Sequence, residues 1–223
     1  MVAKGDPTNI DVIQQSKEKG PETLGFMTSY AWRDDPKRLA FTLSRYKFVS
    51  RMLEGCSSVL EAGCGDGFGS RIVRQHVDNL QSTDLDPDLI ESARASSCND
   101  WPVTFKVHDM LAGPVDGEFD GVYCLDVLEH IPEAQEDVFI SNLIAPLDPF
   151  GICVIGMPSL QSQTYASKYS KIGHINCKDQ PTTRSLMLKY FHNVFMFSMN
   201  DEVVHTGFQA MSHYNLALCS CKR

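Results

Sequence analysis

No stretch of the 223 residues is apolar for long enough to cross a bilayer. The longest such runs, typified by GICVIGM at 151–157, fall far short of the roughly 20 residues a spanning helix requires. No CxxC pair occurs among the eight cysteines. The closest spacing, Cys219-x-Cys221, lies in a stretch that reads as a strand, where residues two apart share a face. The common zinc frameworks are therefore missing, no metal is expected, and the thiols read as reduced and mostly buried. Positive charge is scarce too: 20 Lys and Arg stand against 28 Asp and Glu, a net charge of −8. The basic residues are scattered, apart from a mild concentration over 33–51 that reads as the solvated face of a helix. Nucleic acid is disfavoured as a partner, since a polyanion needs clustered cations. The opening MVAKGDPTNI has neither the apolar core nor the cleavage pattern of a signal peptide, so no membrane association and a cytoplasmic location are expected.

What is present is a change of rhythm along the chain. Residues 1–25 are polar and aperiodic and read as a flexible arm. The arm and a cap helix make up 1–55, and a second unit spans 56–223. In the cap helix, Asp35 and Pro36 give a start signal, and Leu39, Leu43, Tyr46, Val49 and Leu53 form one apolar stripe. From Ser58 strands alternate with helices: SVLEA, then a helix over 68–77; LQSTD, then a helix opening at Asp86-Pro87; VTFKVHD; FDGVYCLD, then a helix from Pro132; GICVIGM; and a helix from Pro181. NVFMFSM and YNLALCS close the chain as two strands without a helix between them. This pattern predicts an α/β fold, a Rossmann-like doubly wound sheet of seven strands. It would be mostly parallel with an antiparallel C-terminal edge and helices on both faces. One long irregular insert, at about 158–180, follows the fifth strand, and loops of that length are usually functional.

The segment VLEAGCGDGFGS places four glycines at 63, 65, 67 and 69, directly after the first strand. Ligands of open α/β sheets bind beyond the carboxyl ends of the strands, and glycine lets them approach main-chain amides. A dinucleotide fingerprint G-x-G-x-x-G/A is not met, because Phe68 or Ser70 stands in its last place. That argues against a nicotinamide oxidoreductase. Asp84 ends the second strand, where a carboxylate can accept both hydroxyls of a ribose. Asp109 ends the third, positioned for an adenine amino group, with Met110 beside it to cover the ring. Glu61 is placed to face a cationic amine. A ribose, an adenine and an amino-acid-like cation without phosphate describe S-adenosylmethionine.

In the order VLEAGCGDG, STDLDPDLI, VHDM, FDGVYCLDVLEHIP and GICVIGMPS, the chain resembles a class I S-adenosylmethionine-dependent methyltransferase. The likeness covers about 60–160 and lies nearest the small-molecule branch with LEHI-type fourth motifs, which includes quinone-precursor and sugar enzymes. It implies cofactor contacts at Glu61, Gly63, Gly65, Asp84, Leu85, Asp109, Met110 and Leu125, with S-adenosylhomocysteine as product.

Methyl transfer is an in-line displacement, and a hydroxyl or amine acceptor must also lose a proton. His174 on the insert and His130 in LEHIP are the candidate catalytic bases. His205 and His213 read as surface loop histidines, and Tyr169 and Asn176 as further acceptor contacts. Tyr30 and Trp32 in SYAWRDD are candidates for a lid. The expected function is methylation of an oxygen or nitrogen of a small polar metabolite such as a sugar or nucleotide-sugar. The rivals are a protein or RNA methyltransferase and a non-catalytic module that only binds the cofactor.

Overall fold

Strand β1 (Val59–Ala62) is buried at every position, and it is the axis on which the sheet is wound. It pairs in parallel with β2 (Leu80–Asp84) on one side and β4 (Phe119–Leu125) on the other. The next strands out, β3 (Thr104–Val107) beside β2 and β5 (Leu147–Pro158) beside β4, are also parallel. Chain order then breaks. Strand β8 (Tyr214–Lys222) lies antiparallel between β5 and β6 (Phe191–Asn200), and β7 (Val203–His205) folds back on β6. This computed structural model describes residues 6–223 and gives eight strands in the order β3-β2-β1-β4-β5-β8-β6-β7. The strand beyond the expected seven is β7, whose three residues lie in a predicted loop.

Both faces of the central strands are covered, which is why they lack a polar–apolar alternation. Along β4, Val122 and Cys124 face one core with Cys153, Ile155 and Met157 of β5, while Tyr123 and Leu125 face another. Helix α6 (Glu136–Ile144) fills the first core with Phe139, Ile140, Leu143 and Ile144, on one helical face. Helix α3 (Lys37–Met52) fills the second with Tyr46 and Val49, and Leu53 follows just past its end. Each such side chain, fully buried, contributes about 1.5–3 kcal/mol of transfer free energy.

Three local expectations shift. Helix α3 begins at Lys37 with Pro36 as its cap, so Asp35 lies outside it. Helix α4 (Ser70–Arg74) is shorter than its 68–77 forecast. Part of the arm is a helix, α1 (Ile10–Lys19), which buries no residue; residues 1–5 of the arm lie outside the described residues. Helix α5 (Pro87–Ala95) starts as expected, with the Asp86 carboxylate accepting the Asp88 amide at 2.9 Å. No helix among the described residues is long and apolar enough to cross a membrane.

Candidate active site

Strand order reverses between β1 and β4, so the crevice outside their carboxyl ends is the natural binding place. The turn after β1 forms its floor. Gly63 has φ +78°, and a β-carbon there would lie 2.1 Å from Val127 Cγ2. Gly65 has φ +56°, and its amide donates to Asp84 Oδ2 at 2.8 Å. The other Asp84 oxygen takes the Asp86 amide at 3.0 Å. Two main-chain donors fix that carboxylate at the tip of β2. They use only part of its capacity of about four lone-pair sites, leaving room for two hydroxyls. Leu85, next to it, is 66% exposed and offers an apolar surface at the crevice. Asp109 is also exposed; its Oδ1 caps the Leu111 amide at 2.8 Å.

Charge at these tips has one sign. Segments 63–67, 84–86, 108–110 and 125–127 contain Asp66, Asp84, Asp86, Asp109 and Asp126 but no lysine or arginine. Arg45 approaches from α3 and is engaged already: its Nη1 lies 2.9 and 2.7 Å from the Asp126 oxygens, and its guanidinium sits 3.9 Å from the Tyr214 ring centroid. A diphosphate would meet carboxylates here without a cation to neutralise it. A nucleoside carrying a positive sulfur would not. The residues therefore fit the cofactor that the class I resemblance implies.

Helix α2 (Phe26–Asp34) closes the other side of the turn. Gly25 precedes it, and Asp66 caps it from the glycine turn: Thr28 donates its amide to Oδ2 at 2.8 Å and its hydroxyl to Oδ1 at 3.1 Å. Met27 then lies over Gly65, its sulfur 2.9 Å from where a β-carbon would stand. Tyr30 and Trp32 are both 58% exposed on this helix, so neither packs against the sheet.

Other forecast cofactor residues face inward. Glu61 is 1% exposed; its Oε2 accepts the Ser70 hydroxyl at 2.5 Å and the Ser82 hydroxyl at 2.6 Å. Its carboxyl ties β1 to α4 and β2, and burial pushes its pKa up against those hydroxyl bonds. Met110 and Leu125 are 6% and 4% exposed and belong to the cores on opposite faces of the sheet.

The acceptor side is assembled from two distant segments. The turn Leu128–His130 follows β4, and the insert between β5 and α8 (Gln180–Met187) folds onto it. The amides of Ile175 and Asn176 both donate to the Glu129 carbonyl, at 2.9 and 3.0 Å. Further along the insert, Lys178 Nζ meets Glu136 Oε2 at 2.8 Å and Asn176 Oδ1 at 2.8 Å, and Asn176 Nδ2 donates to the same Glu136 oxygen at 2.9 Å. All three of these polar groups are buried. Asn176 is thus an anchor of the insert, while Tyr169, in α7 (Lys168–Gly173), is 81% exposed.

This folding brings His130 and His174, 44 positions apart in sequence, to a ring separation of 5.2 Å in an edge-on arrangement. Burial, and then the neighbouring His130, lower the pKa of His174. Beside them lies Glu129, fully buried, with neither carboxylate oxygen hydrogen-bonded among the described residues. Burial, and secondarily Asp126, push its carboxyl up to about 9. Nothing in the sequence reading singled out Glu129; its position in LEH was the available signal. His205 bonds to Asn200 at 2.8 Å in the β6–β7 hairpin, and His213 is exposed beside Asp201.

A family model described as a methyltransferase domain matches residues 59–151, from the start of β1 into β5. Over these residues the chain is similar to a methyltransferase domain. Its sheet is the Rossmann-like class I arrangement. The ubiquinone biosynthesis O-methyltransferase of Xanthomonas axonopodis pv. citri (strain 306) is 33% identical over 142 residues, covering 55% of this chain and 59% of that relative. The chain thus spans less than two thirds of the length of this curated relative. A chain from the Haloferax volcanii complex that contains the Trm112 methyltransferase activator superposes with a TM-score of 0.70 at 17% identity, over 87% of this chain and 95% of that one. The N-methyltransferase NodS from Bradyrhizobium japonicum WM9, in complex with S-adenosyl-l-homocysteine, gives 0.60 at 21% identity, over 85% and 91%. At these identities the two structures speak to the fold.

Proposed function

We propose that this methyltransferase moves a methyl group from S-adenosylmethionine to an oxygen or nitrogen of a small polar acceptor, releasing S-adenosylhomocysteine. Oxygen is favoured because the relatives are named O-methyltransferases. A sugar or nucleotide-sugar hydroxyl and a ring hydroxyl of a quinone precursor are the acceptor classes to try first. The observation that carries the reading is the uniformly acidic set of strand ends around the glycine turn, which suits a phosphate-free cationic nucleoside.

S-adenosylmethionine, when bound, supplies a methyl group whose bonding pair returns to sulfur as the group departs. The protein's part is positioning. The spare lone pairs of Asp84 take the ribose hydroxyls, Asp109 takes the adenine amino group, and Leu85 covers apolar ring surface. Gly63 and Gly65 let Val127 and Met27 close over the turn, beside the place of the amino-acid portion. On the far side, His130 and His174 hold the acceptor's hydroxyl and handle its proton as the new carbon–oxygen bond forms. The neutral state favoured for His174 is the one that can accept a proton.

Calorimetry should detect S-adenosylhomocysteine binding to the purified protein, and Asp84→Ala should weaken it by at least about ten-fold, since hydrogen bonds to a charged acceptor contribute about 1.5–3 kcal/mol each. Unchanged affinity would remove Asp84 from the site. Tighter binding of NADH would overturn the reading. Binding without turnover on hydroxylated sugars and catechols would favour the non-catalytic module.

A further inference from the structure

We propose that Glu129, His130 and His174 form a binding site for a single divalent transition-metal cation at the acceptor side of the crevice. One ligand atom from each of the three lies within 4.8 Å of the others. This departs from the expectation of no metal, which looked only for paired cysteines.

Proximity alone would be weak; the state of each donor makes the case. Glu129 is fully buried, and both its oxygens lack a partner among the described residues. A carboxylate buried that way is costly unless a cation or donor meets it. Among the described residues, its one neighbour of opposite potential charge within salt-bridge range is His130, whose Nε2 is 4.0 Å from Oε1, too far for a hydrogen bond. Both imidazoles are held by their other nitrogen. His130 Nδ1 lies 2.9 Å from the Gly173 carbonyl, which only accepts, so Nδ1 carries the proton and Nε2 keeps its lone pair. His174 Nδ1 lies 2.9 Å from Gln163 Oε1, which likewise leaves its Nε2 bare. Metal-bound histidines are typically oriented in this way, by an outer carbonyl or carboxylate that fixes tautomer and ring.

The scaffold is equally committed. Gly173 leaves space for the His130 ring, 3.1 Å from where a β-carbon would stand. The two amides that follow His174 clamp the Glu129 carbonyl, so two of the ligand-bearing segments are joined by main-chain bonds. Two imidazoles and one carboxylate on one side of an ion leave coordination positions open, a donor set suited to zinc, iron(II) or manganese.

The role of the ion rests on the methyl-transfer reading. An acceptor hydroxyl entering an open position would have its pKa lowered by the cation, as metal-bound water does. The oxygen–hydrogen bond would break with the proton passing to water, and the oxygen would bond the methyl carbon as that carbon's bond to sulfur breaks and its electron pair stays on sulfur. No electron changes hands. The histidines then act as ligands, and the proton load falls on the metal-bound oxygen.

Metal binding is measured on the full chain after chelation and dialysis, with Mn²⁺ alone followed by its electron paramagnetic resonance signal and Zn²⁺ alone by calorimetry. A single equivalent should bind. His174→Ala and Glu129→Gln should each weaken binding by at least about ten-fold, with circular dichroism and S-adenosylhomocysteine affinity unchanged, and Gln163→Ala should show a smaller loss through ring orientation. His174→Ala, on the partly exposed insert, is the arm least exposed to folding effects. Stoichiometric binding unaffected by both substitutions, or no binding of either ion, would overturn the site and leave methyl transfer standing. Metal binding in a protein that ignores S-adenosylhomocysteine would do the reverse.

Discussion

The two sides of the crevice are built on opposite plans. On the cofactor side, main chain does the holding: the amides of Gly65 and Asp86 fix Asp84, and that of Leu111 fixes Asp109. Those partners are at most 19 residues apart. On the acceptor side, beside the main-chain bonds from Ile175 and Asn176 to the Glu129 carbonyl, the Asn176–Glu136 and His130–Gly173 bonds join partners 40 and 43 positions apart, and each needs a particular side chain. A site framed by backbone tolerates almost any sequence that keeps its glycines and strand-end carboxylates. A site framed by side chains depends on each of them.

The sharpest way to break this contrast is to unseat the insert. Lys178→Met leaves Glu136 buried with Asn176 alone, and stranding one partner of a buried pair costs about 3–5 kcal/mol. Chemical denaturation should show a loss of that size, and a loss under about 1 kcal/mol would mean the pair does not anchor the insert. On the cofactor side the corresponding change is milder. Asp66→Ala removes the cap of α2, worth about 0.5–2 kcal/mol, and should raise proteolysis and hydrogen exchange over 26–34 while the sheet stays protected. Unaltered exchange there would show that α2 is held by other contacts.

The smallest effect concerns acid. Asp179 caps α8, and its bonds to Thr182 lower its pKa below the ordinary 3.8. A carboxylate with a depressed native pKa adds stability above its unfolded pKa, and this is lost as pH falls through the native value. Asp179→Asn keeps a good cap without the titration. Its stability should match the parent near neutrality and decline less below about pH 4, as read from thermal unfolding across pH. Parallel acid limbs for the two proteins would count against the depressed pKa.

The same contrast explains what could be read from sequence. Strand–helix alternation, the Asp86-Pro87 helix start and the glycine turn are local signals, and each appears where the residues placed it. The place of Asp84 was legible because it follows from the end of a strand. Glu129 was not, because a glutamate beside a histidine looks like any polar turn until the fold buries it and brings His174 across. Glu61 shows the converse: an acid in the right motif whose side chain turns inward to two serine hydroxyls, which its position in the turn did not reveal. Strand β7 was missed because three residues carry too little pattern to separate a hairpin arm from a loop.

The placement of β8 between β5 and β6 has a consequence for how the polypeptide comes into being. Synthesis releases the chain from its N-terminal side, so the segment 191–205 emerges before the neighbour it must lie against exists. A lone two-stranded ribbon is barely stable in water, and Phe191, Val194 and Met199 must wait without their cover. Only when 214–222 slides in does the earlier ribbon acquire a sheet to join. An interruption there forfeits three strands of the sheet at once, because within it two of them reach the other strands through the third.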